Sequence, residues 1–390
     1  MSDVGTLNGL RVIDFTSMMA GPFATRMLVD CGAEVIKVES AAGDYMRYRS
    51  PLRDGRSAYY GQMNGGKKSI VLDLKSDKGR DVALRLIACA DVVVENFRPG
   101  VMDSLGLGFG ALKDSFPKLV YCSISGFGQS GVRARDPAYA PIIHAASGYD
   151  MAHLRYNDHL ERPAVTGIFT ADVIAAIYAF GAIQTALLHR ERFGCGQHID
   201  VTLIDSMLNM LVYEMQEAQF QSDQRRPLYQ PLRTSDGFVM IAPVNQKNFE
   251  NLAAAAGRPE WRDDPRFSTI RAREQNWSQL MGLIEEWTIL RSAGECESIM
   301  MAAGVPCSRY ATTAELIADP VMQERGSFEA NHDGSGEFLI PHQPFRFSRA
   351  KTGGPRRVSD IGEDADTILS QVLGLDASMI QSLRNGKHVA

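Results

Sequence analysis

Short apolar runs separated by polar, glycine-bounded stretches recur through the first half of the chain. Leu10–Phe15, Glu34–Glu39, Ser69–Leu74, Asp91–Glu95 and Leu119–Ser125 read as buried strands. Between them, Phe23–Asp30, entered through Ala20-Gly21-Pro22, and Lys78–Cys89 read as helices. Strands alternating with helices predict a parallel α/β sheet. The longest apolar run, Val173–Leu188, has 16 residues and is rich in Ala, Ile and Leu. It falls short of the ~20 residues of a membrane span and predicts a buried helix. Gly194–Gly196 ends that helix after a basic last turn, and His198–Thr202 follows as a strand.

The pattern changes after Gln219. Gln219–Pro227 is polar and proline-bounded, as a linker would be. Gly237–Pro243 reads as a strand, Gln246–Ala256 as a helix, Trp261–Gly304 as mostly helical and Pro306–Thr312 as extended. This predicts a smaller α/β unit. Asn331–Gly336 reads as a turn cluster before a strand at Phe338–Ile340. Pro341, Pro344, Gly353, Gly354 and Pro355 mark an irregular tail, followed by short helices at Ala365–Leu373 and Ala377–Leu383. No internal repeat is present.

Composition narrows the function class. The chain has 390 residues, 45% hydrophobic and 22% charged, with a net charge of −5. These values suit a globular chain of two domains and give no basic footprint for nucleic acid or membrane. The six cysteines are scattered without a Cys-x-x-Cys pair, which fits a reduced, cytoplasmic setting. The eight histidines form no metal motif. Met1–Thr6 lacks the basic and apolar regions of a signal peptide.

Three glycine-rich stretches invite a nucleotide reading. Gly126–Gly131 matches G-x-G-x-x-G after a strand, but Val132–Pro137 reads as a loop where the dinucleotide motif needs a helix. Gly61–Lys68 nearly matches the P-loop, but its hydroxyl residue, Ser69, falls one position late and a strand follows. Leu105–Gly110 reads as a flexible connection. A different feature is Asp172, the only charged residue between Arg162 and His189, at the start of the long apolar helix. An Asp there usually serves as an N-cap, and Thr170 competes for that role. The helix dipole favours its ionised form at neutral pH.

Asp172, its helix, Arg192–Gln197 and Asp200–Ser206 together resemble the catalytic segment of the class III CoA-transferases, the family of formyl-CoA transferase and carnitine CoA-transferase. The resemblance covers nearly the whole chain. It includes Val12–Thr16 with Ala20-Gly21-Pro22, Gly32–Glu39, Asn64–Lys75, Val94–Gly100, Ser125–Gly128, Tyr139 and Ser147-Gly148. In the smaller unit it includes Asp236–Phe238, Asp264–Phe267, Gly304–Pro306 and Asp319-Pro320.

The resemblance implies a Rossmann-like large α/β domain with a parallel sheet, a smaller inserted α/β domain and an interlocked homodimer. The domains would run 1–208 for the large domain, 209–230 as linker, 231–316 for the small domain, 317–345 as linker and 346–390 as a tail packing back on the large domain. It implies a CoA-transferase moving CoA from an acyl-CoA donor to a carboxylic acid. Asp172 would be the nucleophile, forming aspartyl anhydride and aspartyl-CoA thioester intermediates. Met19, Ala20, Leu72, Lys75, Asn96, Phe97, Arg98 and Tyr139 would line the CoA site. No cofactor or metal is implied, the CoA thioester being a substrate.

The chain departs from the formyl-CoA transferase pattern at Met19, where that pattern has Gln, and at Ser40 and Ser104, where it has Arg. Pro227–Thr234 replaces a glycine-rich loop, so a different acyl group from oxalate is expected. Two further readings stand beside the transferase. An α-methylacyl-CoA racemase would carry a His where Tyr139 stands, with His144 five positions later. A non-catalytic CoA- or nucleotide-binding protein would retain ligand without exchange.

Overall fold

The computed structural model describes residues 4–157, 159–220, 227–354 and 356–389. The start of the chain at 1–3, part of the expected linker at 221–226, and Pro355 lie outside the described residues. Contacts divide the chain into two compact units: Met1–Gln216 with Glu324–Ala390, and Glu217–Gln323.

The larger unit is built on a six-stranded sheet in the order Lys68–Val71, Glu34–Glu39, Arg11–Asp14, Val92–Glu95, Val120–Ser125, His198–Thr202. Every adjacent pair is parallel, with Val12 opposite Val35 on one side and opposite Val92 on the other. Parallel strands bury both faces, which is why these segments read as continuous apolar runs. On one face Val12, Val35, Val94 and Cys122 pack under the helices Ala20–Asp30 and Thr170–Phe193. On the other, Ile13, Ile36, Ile70 and Val93 pack with Leu86 and Ile87 and with Ile368 and Leu369 from the C-terminal segment.

The sequence-predicted strands fall within a residue or two of these bounds, except that Leu72–Leu74 is not strand. Leu72 instead makes an isolated bridge to Val389. The turn cluster at Asn331–Gly336 is a correction. Phe328–Asp333 and Gly336–Pro341 are paired antiparallel strands, and only Gly334 and Ser335 turn. Asn331 tolerates a strand there because its buried amide donates to Gly61 O at 3.0 Å, tying the hairpin to the helix Ala58–Asn64. The stretch 317–345, expected as a linker, therefore holds regular structure belonging largely to the larger unit. Likewise 209–216, within the first expected linker, belongs to the larger unit and ends in helix.

The smaller unit has a three-stranded antiparallel sheet of Leu232–Arg233, Phe238–Ile241 and Cys307–Arg309. Helices Gln246–Ala255, Trp277–Thr288 and Ala293–Ala302 cover it, with Val239, Phe249, Trp261 and Trp287 in its core.

Candidate active site

The order of the parallel sheet reverses beside its first strand. The chain runs outward to the Lys68–Val71 edge, then returns to place Val92–Glu95 on the first strand's other side. In open α/β sheets, ligands bind outside the carboxyl ends of the strands at such a point. A cleft of about 1010 Å³ lies there. Phe15–Ser17 after the first strand, Ser40 and Ala41 after the second, Leu72–Lys75 after the edge strand and Phe97 after the fourth line its wall.

A buried charge network fixes the turn entering this cleft. Asp14, fully buried at the end of its strand, accepts from Thr16 N at 2.8 Å, Thr25 Oγ1 at 2.7 Å and Lys67 Nζ at 2.9 Å. Lys67 spends its other donors on Pro22 O at 2.9 Å and Asn64 Oδ1 at 2.8 Å. Lys37 pairs with Asp44 at 3.1 Å and donates to Thr16 O at 2.7 Å. Burial pushes the Asp14 carboxyl up, but Lys67, Lys37 and two threonine hydroxyls outweigh it and hold it at about 2. Burial pushes Lys67 down to about 8 against the pull of Asp14. Lys67 is thus a structural ammonium, which disposes of the P-loop reading of Gly61–Lys68. The dinucleotide reading fails too: no helix opens at Gly131, and the next one begins at Ala140.

Asn96 latches the same turn, exchanging bonds with Ser17 through its Oδ1 at 2.9 Å and its Nδ2 at 2.8 Å. Met18, held at φ 69°, carries the chain on to Met19. The Met19 sulfur accepts from the Tyr59 hydroxyl at 3.2 Å. The Tyr59 phenol is raised by burial and by the charge of Asp172, which places it in the field of that carboxylate. From this turn the chain thus reaches, through Met19 and Tyr59, a hydroxyl that feels the charge of Asp172.

Asp172 lies in the first turn of the helix Thr170–Phe193, whose N-cap position is Phe169 with no side-chain cap. The N-cap reading of Asp172 is therefore corrected. The cap comes from another helix: His144 Nε2, on Ala140–Ala146, accepts the Ala171 N–H at 3.1 Å. That bond requires the Nε2 lone pair, so the neutral Nδ1–H tautomer is assigned. Burial lowers the His144 pKa against a partial pull from Asp150, which favours the neutral form. The Asp172 carboxylate is left with no hydrogen bond or ion pair among the described residues. Burial pushes its carboxyl up to about 6, more than the helix dipole offsets. It is still mainly ionised at neutral pH.

The helix measures 24 residues and is long and apolar enough to cross a membrane. It packs Ala171, Ala175, Ala179, Ile183 and Ala186 into the core of the larger unit, as expected for a core helix.

The remaining sequence-predicted positions separate. Leu72, Lys75 and Phe97 line the cleft. Ala20 is buried at the start of its helix and offers only backbone. Tyr139 is 62% exposed at the N-cap of Ala140–Ala146. Arg98 lines a smaller cavity of about 170 Å³ instead, with Glu95, Asp103 and His198. There Ser123 Oγ and His198 Nε2 lie 2.9 Å apart, and burial pushes the Glu95 carboxyl up to about 7. Sequence reasoning missed Tyr59 and the capping role of His144. A lone tyrosine and a lone histidine carry no local signal, and only the packing of Ala58–Asn64 and Ala140–Ala146 assigns them. Among the described residues no group of His, Cys, Asp and Glu could hold a metal ion.

Comparison with known proteins agrees with this geometry. The model of CoA-transferase family III matches residues 7–365. A succinate–glutarate CoA-transferase of Agrobacterium fabrum is 35% identical, over 94% of this chain and 95% of that one. The human succinyl-CoA:glutarate CoA-transferase is 30% identical, over 98% and 90%. The crystal structure of a CAIB/BAIF family protein from Brucella suis superposes with a TM-score of 0.82 at 34% identity, covering 95% of this chain and 100% of that one. A reversing parallel sheet with a cleft at its switch point, an unpaired carboxylate at the start of the long helix and matches along nearly the full length lead to one conclusion: this protein is an enzyme of CoA-transferase family III.

Proposed function

We propose that the enzyme moves CoA from an acyl-CoA thioester to a carboxylic acid through covalent intermediates on Asp172. The observation that carries this reading is a largely buried carboxylate with no cation or donor of its own among the described residues, at the start of a helix capped from elsewhere. A carboxylate used for structure is normally paired. One left unpaired and desolvated is a better nucleophile.

Asp172 attacks the thioester carbonyl, forming a mixed anhydride and releasing CoA thiolate. The thiolate attacks the aspartyl carbonyl, expelling the donor acid as carboxylate and leaving an Asp172–CoA thioester. The acceptor carboxylate attacks that thioester and expels the thiolate, which then takes the new acyl group from the second anhydride and restores Asp172. Each tetrahedral oxyanion needs hydrogen-bond donors. The Tyr59 hydroxyl and the N–H groups opening the helix at Ala20 are candidates. The cleft at the sheet's switch point takes the CoA moiety. Dicarboxylates such as the succinate and glutarate in the relatives' names are the first acids to test.

The long helix exposes Ile177, Tyr178, Leu188 and Phe193, an apolar face suited to a second copy, and we include a homodimer in the proposal. The test of the mechanism is direct. Enzyme given succinyl-CoA without acceptor gains the mass of CoA on the peptide containing Asp172, and hydroxylamine removes it. Turnover without any such adduct rejects the covalent route.

A further inference from the structure

The cleft wall carries three cations: Lys75, Arg384 and Lys387. Two of them come from the C-terminal segment, which the sequence offered only as a short helix. The positions of Ser40 and Ser104 in the same wall contribute no charge. Of the wall's carboxylates, Glu39 and Asp44 are buried and paired with Arg47 and Lys37, so their charge is already compensated. Asp73 is exposed and uses Oδ1 to accept the Lys75 N–H at 3.0 Å. Lys75 and Lys387 have no ion-pair partner among the described residues, and Arg384 has the exposed Asp366 at 2.8 Å.

The C-terminal segment is not a loose tail. The helix Ala377–Asn385 ends at Gly386, where a Cβ would meet the His388 ring at 2.4 Å. Lys387 follows at φ 56°, a left-handed conformation that lysine rarely adopts. Backbone bonds hold the turn on both sides, Lys387 N to Arg384 O at 2.9 Å and His388 N to Leu383 O at 3.0 Å. His388 then docks on the Lys75 loop: Asp73 N donates to His388 O at 3.1 Å, and His388 Nδ1 lies 3.0 Å from Ser76 Oγ. The bridge between Leu72 and Val389 completes the attachment. The turn presents Lys387 in the same wall as Lys75.

The cations enter the cleft from the edge strand and its C-terminal cover. The turn that leads to Asp172 enters from the first strand, two strand spacings away, about 10 Å. A CoA thioester has a matching asymmetry, with the reacting carbonyl at one end and the phosphates of its 3′-phospho-ADP at the other. We infer that Arg384 and Lys387 of the C-terminal segment, with Lys75, form the site for the phosphates of the 3′-phospho-ADP moiety of CoA. This rests on the transferase reading above.

The test is calorimetric binding of CoA and of 3′-dephospho-CoA to the full-length enzyme, its Arg384→Gln/Lys387→Gln double variant and a Lys387→Glu variant. Lys78→Gln, an exposed lysine outside the cleft wall, is the control. All substituted positions are exposed, and melting curves check the fold. The double variant should bind CoA at least tenfold more weakly, with a shallower salt dependence and a higher KM for acyl-CoA, and Lys387→Glu more weakly still. The preference for CoA over 3′-dephospho-CoA should shrink in both, while Lys78→Gln matches wild type. Wild-type binding of CoA with an unchanged Kd in the double variant overturns the inference and leaves the transferase reading standing. Failure of the wild-type enzyme to bind CoA overturns both.

Discussion

Replacing Asp172 by Asn separates a nucleophile from a structural carboxylate, because the two roles predict opposite changes in stability. The wild-type carboxyl is pushed from its ordinary 3.8 up to about 6 by burial, so its ionised form is disfavoured in the fold. A carboxylate with a raised folded pKa destabilises the fold above that pKa, and the penalty disappears below the unfolded value. At full weight a rise of this size corresponds to about 3 kcal/mol. Partial access to water and the polarity of the replacing amide reduce the expected gain to about 1–2 kcal/mol. For a domain of this size that is a rise in Tm of about 2–6 °C. The gain should be complete at pH 8, shrink between pH 6 and 4, and vanish below. Melting curves across that range, run beside a CoA-transfer assay, measure both sides. Asp172→Asn should be more stable than wild type above pH 6 and inactive in transfer. An Asn variant that is less stable at pH 8 makes Asp172 a structural group. One that retains transfer, after deamidation back to Asp is excluded, rejects it as nucleophile.

Five further outcomes follow from other parts of the protein. His144→Leu leaves the Ala171 N–H without its acceptor and should cost about 1–3 kcal/mol; kcat/KM should fall with it, and His144→Gln, whose carbonyl can accept, should restore both. Because burial depresses the His144 pKa below 6.5, its stabilising bond is present at neutral pH and weakens as pH falls below that value; His144→Gln should lack this acid loss in a pH series of melting curves. Asp14→Asn leaves the buried Lys67 and Lys37 undercompensated and should destabilise by about 3–5 kcal/mol in urea unfolding at pH 7; a change below 1 kcal/mol removes the network from the account of the turn. The racemase alternative requires a base at the α-carbon, and position 139 carries a tyrosine where that reading needs a histidine; 2-methylacyl-CoA should take up no deuterium from heavy water, and rapid uptake revives that reading. Sedimentation should give a dimer persisting at nanomolar protein, and a folded monomer in free exchange rules out the interlocked form.

Much of the fold was legible because parallel strands buried on both faces leave apolar runs that alternate with helices, whatever their order in space. The same local signal gave the long helix and the isolated charge of Asp172 at its start. It misplaced Asn331–Gly336, where turn-forming residues sit in a strand because the buried Asn331 amide donates to a partner distant in sequence, Gly61 O. Resemblance brought the family and the candidate residues, but side-chain direction was beyond it. Phe97 and Arg98 are neighbours in sequence, yet Phe97 lines the large cleft and Arg98 the small cavity. The N-cap of the Asp172 helix looked like a local matter and is supplied by His144, 27 residues away from Ala171. The cations of the cleft come from Lys75 and from a segment over 300 residues later. Hydrophobic periodicity is a property of each segment, so the sequence by itself determined which elements form. Which polar side chains meet depends on chain return and packing, and that only the tertiary structure decided.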